Sequence, residues 1–153
     1  MKKHLLKMGT ALALLLTAGC SDKDEPYVEK PATDLYVKGY LYHNMKDYDK
    51  AIEFYKKTIE VDPNYAEAFS NLGLIYCLQA QDFSEKATAD VNDPKYKEDQ
   101  ATLKAFYEKA KPCYEKARAL KPDQKDLWLN GLYRVYYNLD MGPEFEEIEK
   151  MVQ

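Results

Sequence analysis

The sequence predicts an all-α fold of antiparallel helical hairpins stacked as a short superhelix, with the second hairpin elongated. Two observations carry this. Tyr48, Ala51, Tyr55 and Pro63 stand at offsets 0, 3, 7 and 15, and Tyr107, Ala110, Tyr114 and Pro122 repeat those residue types at those offsets. Self-similarity at fixed spacing marks an array in which each unit cannot bury its apolar face alone. The apolar residues around both copies also recur every three or four positions, the period of an amphipathic helix.

The N-terminus carries a separate message. Lys2, Lys3 and Lys7 form a basic head, Ala11 to Leu16 is an apolar run too short to span a bilayer, and small residues follow. Residues 1–19 therefore read as a signal peptide. Leu16-Thr17-Ala18-Gly19-Cys20 resembles a bacterial lipobox, with Thr17 where Leu is commoner, and the resemblance implies lipidation of Cys20, with palmitate among the acyl groups. Ser21 after the cysteine argues, by the same resemblance, against retention in the inner membrane. Asp22-Lys23-Asp24-Glu25 resembles the acidic tether of surface-exported lipoproteins; a solvated linker is the plainer reading of such a charge run. Residues 20–31 form this tether, kept extended by Pro26 and Pro31. The localisation implied is the outer membrane, lipid-anchored, on its periplasmic or cell-surface face, with the surface favoured.

Without residues 1–19 the chain has 19 basic and 26 acidic side chains, a net charge of about −7. That argues against nucleic acid as a partner, because phosphate binding needs clustered Lys and Arg. The length suits one domain, residues 32–153.

The first unit spans 32–65, with helices expected over 33–45 and 48–61. Gly39 and Ala51 are small so that two antiparallel helices can approach, and Tyr42, Tyr48 and Tyr55 fill the space around them. Asp62-Pro63-Asn64 ends the second helix, since proline disfavours helix in the residue before it. Leu35, Gly39, Tyr42, Tyr48, Ala51, Tyr55 and Pro63 occupy the large, small and turn positions of the tetratricopeptide repeat, which this unit resembles; only Thr58 departs, where Ala is usual.

The second unit, 66–124, opens with Phe69, Leu72, Gly73 and Tyr76 in the same pattern. Its return signature, Tyr107 to Pro122, arrives 25 residues late, since the two copies lie 59 residues apart rather than 34. Tyr76, Ala80, Phe83 and Ala87 continue the outbound stripe, while Leu103, then Phe106 or Tyr107, then Ala110 begin the return stripe early. Dividing the surplus equally lengthens each arm by about 12 residues, or about 18 Å. Asp90-Val91-Asn92-Asp93-Pro94 is the expected turn; a disordered loop over 82–100 is the competing reading. Pro112 lies inside the return helix and is expected to kink it.

The third unit, 125–153, is degenerate. Trp128 stands where the large aromatic belongs, but Gly131 is one residue early. Asp140-Met141-Gly142-Pro143 stops one helix and starts another, Glu144 to Val152, with Phe145, Ile148, Met151 and Val152 on one side.

Catalysis finds no footing. Outside the signal segment His43 is the only histidine, so a His-based triad or multi-histidine metal site is absent, and the six glycines form no phosphate loop. The reading is non-enzymatic, with no metal and no cofactor. Cys77 and Cys113 fall on helices expected to pack together, which allows a disulfide, while the repeat geometry directs them to different sides.

Of the 14 tyrosines, Tyr42, Tyr48, Tyr55, Tyr76, Tyr107 and Tyr114 fall at packing positions. The tetratricopeptide resemblance implies that the first helix of each unit lines a concave groove. Its groove positions here are Tyr36, Tyr40, His43 and Asn44, then Ser70, Asn71, Leu74 and Leu78, then Leu129, Tyr133 and Tyr137; the last two either line the groove or cover the end of the array. Of the basic and Asn clamp by which some members grip a C-terminal carboxylate, only Asn71 matches; Tyr36, Tyr40, Asp126 and Asn130 hold the other positions. The resemblance implies a lipid-anchored scaffold for binding or assembling another, unidentified envelope protein or peptide. The alternative is a carbohydrate-binding accessory lipoprotein using the groove aromatics.

Overall fold

The computed structural model describes residues 30–152, so the expected signal peptide, Cys20 and the expected tether up to residue 29 lie outside the described residues. The described chain is all helical. Helix α1, Pro31–Asn44, begins with Pro31 in its first turn, where the fixed φ suits a helix and no N–H is needed, so the helix takes in the last residue assigned to the tether. It closes with Lys46 in the left-handed region, φ 60°, its N–H on the carbonyl of His43. Helix α2, Tyr48–Val61, is capped by Asp47, whose carboxylate accepts from the backbone N–H of Lys50 and pairs with the same lysine's ammonium at 3.1 Å. Helices α3, Ala66–Ser84, and α4, Tyr96–Leu120, form the second hairpin. A 3-10 turn, Lys125–Leu127, leads into α5, Leu129–Asn138, and α6, Gly142–Val152, closes the stack.

Each hairpin is held by a glycine facing a tyrosine. A β-carbon on Gly39 of α1 would lie 2.8 Å from the Tyr55 ring of α2, and one on Gly73 of α3 would lie 2.8 Å from the Tyr114 ring of α4. Only hydrogen at those positions lets the ring pass between helices at close-packed density. Tyr55, Tyr76 and Tyr114 are buried, and Tyr42, Tyr48 and Tyr107 pack half-buried against the same core. Thr58, the departure from the repeat pattern, is fully buried, and its hydroxyl donates to the carbonyl of Phe54 at 2.9 Å, so the polar atom is satisfied within its own helix.

The second hairpin is elongated, but not symmetrically. Helix α4 has 25 residues against 14 in α2, whereas α3 has 19 against 14 in α1. The outbound arm stops at Ser84 because polar side chains claim the backbone from there on. Ser84 Oγ donates to the carbonyl of Gln81, Asp99 accepts from Thr88 N, Asp90 from Asn92 N, and Asp93 from Lys95 N. The expected turn at 90–94 lies within this connection over residues 85–95, and the arms meet below it through Phe83 and Phe106, 6.2 Å apart. Helix α4 runs through Pro112 unbroken. Cys77 and Cys113 are both buried and free.

Trp128 anchors the last unit. It is 1 % exposed, its indole N–H donates to the carbonyl of Lys121 at 3.1 Å, and the Arg118 guanidinium lies 5.2 Å above its ring. Arg118 also pairs with Glu147 at 2.6 Å, tying α4 to α6, whose Ile148 is fully buried. No helix among the described residues is long and apolar enough to cross a membrane.

Candidate binding groove

The first helices of the hairpins are joined to one another by polar bonds. Asn71 of α3 donates its amide N–H to the Tyr36 hydroxyl of α1 at 2.8 Å, and Ser70 of α3 donates to the carbonyl of Leu127 ahead of α5. Between α3 and α5 these contacts leave a cavity of about 310 Å³ lined by Ser70, Asn71 and Leu74 on one side and by Asp126, Leu127, Asn130, Gly131 and Arg134 on the other, with Tyr114 also on its wall.

The expected groove residues divide. Ser70, Asn71 and Leu74 line the cavity. Tyr36 serves as a spacer: it stacks on Tyr65 at 5.0 Å and tilts against Tyr55 at 5.7 Å, and burial raises the pKa of its phenol. Tyr40 is 49 % exposed and meets His43 edge-on at 6.3 Å. His43 is half-buried; its Nδ1 is buried without a hydrogen-bond partner, and burial lowers its pKa. Asn44 is exposed at the end of α1, while Leu78 and Leu129 pack half-buried against the core. Tyr133 and Tyr137 do not reach the cavity. They pack on Phe145 of α6, at 4.9 and 5.7 Å, covering the end of the stack. The rings therefore form no continuous platform along the wall.

On α5 and the turn before it, Asp126, Leu127, Asn130, Gly131 and Arg134 line the cavity, whereas Leu129, Tyr133 and Tyr137 do not. Asp126 and Asn130 were visible in the sequence as clamp positions without the needed bases. Arg134 was missed, although it stands four residues after Asn130 on the same helical face. Its guanidinium makes no ion pair or side-chain hydrogen bond among the described residues, yet its charge acts on buried groups of the core. There it favours the ionised forms of Cys77, Tyr107 and Tyr114, against a larger opposing effect of burial. Among the described residues no group of His, Cys, Asp and Glu could hold a metal ion.

A family model described as TPR repeat matches residues 39–79, which run from the α1 glycine through α2 into α3. The chain is 32 % identical over 56 residues to the photosystem I assembly protein Ycf3 of Acaryochloris marina, a match covering 37 % of this chain and 34 % of that protein. The chain thus spans about a third of the length of this curated relative. The all-helical stack agrees with a superhelix of helical hairpins, and over residues 39–79 the chain is similar to the TPR repeat.

Proposed function

We propose that this chain is a non-catalytic, lipid-anchored scaffold that holds a segment of another envelope protein in its concave groove. The observation that carries the reading is the cavity between α3 and α5, lined by Asn130 and Arg134, whose side-chain polar groups bond no described residue. Rigid helices on both sides hold these groups in place, which lowers the ordering cost of binding. The relative's name describes an assembly protein, and assembly of a protein complex is the kind of role such a groove serves. The lipobox resemblance at Leu16 to Cys20 supports anchoring through Cys20, and the acidic tether that follows supports the outer membrane, facing the cell surface.

Photo-crosslinking in intact cells tests the groove. A benzophenone side chain at Asn130 should capture one discrete protein, while the same group at Glu146, on the outer side of α6, should capture none. Equal capture from both positions, or none from either, sinks the groove. Labelled palmitate should enter the wild-type chain and not Cys20→Ala, and unlabelled wild type would remove the anchor.

A further inference from the structure

Two opposite charges line the α3–α5 cavity without neutralising each other. Asp126 in the 3-10 turn and Arg134 on α5 are both exposed, and neither is within ion-pair distance of the other or of any described partner. Their placement is fixed by the fold. Leu127 receives the Ser70 hydroxyl, and Trp128 is buried and bonded to Lys121, so the start of α5 cannot swing. Between the two charges lie the amide of Asn130, uncommitted to any described residue, and the apolar Leu74 and Leu127.

The separation can be read from the chain. Three residues at 3-10 rise and five at helical rise set Asp126 and Arg134 about 13 Å apart along the axis. An extended strand covers that distance in about four residues at 3.3 Å each. The apolar pair and the amide between them match a main chain with small or apolar side chains. A segment entering in the opposite direction would set like charges together, so the pair also dictates polarity.

We infer that this cavity selects an extended protein segment carrying an acidic side chain opposite Arg134 and a basic one opposite Asp126, about four residues apart. The inference rests on the reading of the groove as a protein-binding site. It adds to that reading a charge pattern and a direction.

Random twelve-residue peptides displayed on phage, selected against the immobilised full-length chain, test it. Recovered peptides should carry an acid and a base three to five residues apart in one preferred order, and their capture should weaken at least tenfold in Arg134→Glu. Selection against the double variant Asp126→Arg with Arg134→Asp should recover the pair in reverse order. Both sites are exposed, so the variants should keep wild-type circular dichroism. Asn130→Trp, which fills the cavity, should abolish capture of either set. Peptides lost on Asn130→Trp but lacking the charge pair, or keeping their order in the swapped variant, would overturn this inference and leave the groove standing. Peptides indifferent to Asn130→Trp, or no recovered peptides, would overturn the groove reading as well.

Discussion

Where a β-carbon on Gly131 would be built, the ring of Tyr114 already lies. The same ring stops against Gly73 on its other side, so one buried tyrosine of α4 is held between glycines of α3 and α5. An added methyl at Gly131 must push a ring with no free end to yield, and overpacking of this kind costs about 1–3 kcal/mol. Gly131→Ala should therefore lower the unfolding free energy by that amount, read in urea as a lower midpoint at unchanged slope. Gly142→Ala meets nothing within 4 Å and should stay within about 0.5 kcal/mol of wild type or gain slightly. Equal losses in both would mean that the ring contact is not what Gly131 serves. This residue also explains a limit of the sequence. Gly131 is visibly out of step with Gly39 and Gly73, but it reads as a shifted copy of them. Its real partner lies 17 positions earlier on another helix, and no local pattern records that. From the sequence, Tyr133 and Tyr137 stood open between the groove and the end of the array, and Arg134 went unmarked.

At the scale of the element, α1 and α2 were legible to within two residues because their ends are written locally: Pro31 at a first turn, Asp47 as a cap, Asp62-Pro63 as a stop. The long hairpin was legible as an insertion but not in its division. The apolar stripe through Phe83 and Ala87 continues in space, since Phe83 meets Phe106, while the backbone leaves the helix at Ser84. A stripe reports which side is buried. It does not report that Thr88, Asp90 and Asp93 offer the backbone better hydrogen bonds than a helix would. Helix α4 shows the opposite balance, continuing through a proline that denies Glu108 its donor. Packing of Ala110, Cys113, Tyr114 and Ala117 on the core outweighs that loss. Because Pro112 is exposed, Pro112→Ala should restore the bond and raise stability by about 1–3 kcal/mol, read from chemical denaturation. A loss instead would show that a bend at Pro112 is needed for α4 to reach α5 and α6.

For the whole molecule, the stack is a series of neighbour contacts whose core includes several buried tyrosines and two buried cysteines, and these give its stability a pH signature. Burial pushes the Cys77 thiol up to about 11 and the Cys113 thiol up to about 12. The phenols of Tyr55, Tyr114 and Tyr136 are raised as well, by burial first, with Glu115 adding to the shift at Tyr136, to which it is hydrogen-bonded at 3.1 Å. All these groups stay protonated in the folded chain at pH values where the unfolded chain releases its protons. Their contribution to stability is complete below the unfolded thiol value of about 8.5 and declines as pH rises toward the folded values, by up to about 1.4 kcal/mol per pH unit for each ionising group. Thiols ionise first in the unfolded chain and phenols only near pH 10. Urea denaturation across pH 7 to 11 should therefore show stability falling from about 8.5. The variant Cys77→Ala with Cys113→Ala, whatever its stability at neutral pH, should hold its own value until about 10, where the phenols take over. An onset that stays near 8.5 in that variant would assign the alkaline loss to groups outside the two buried thiols.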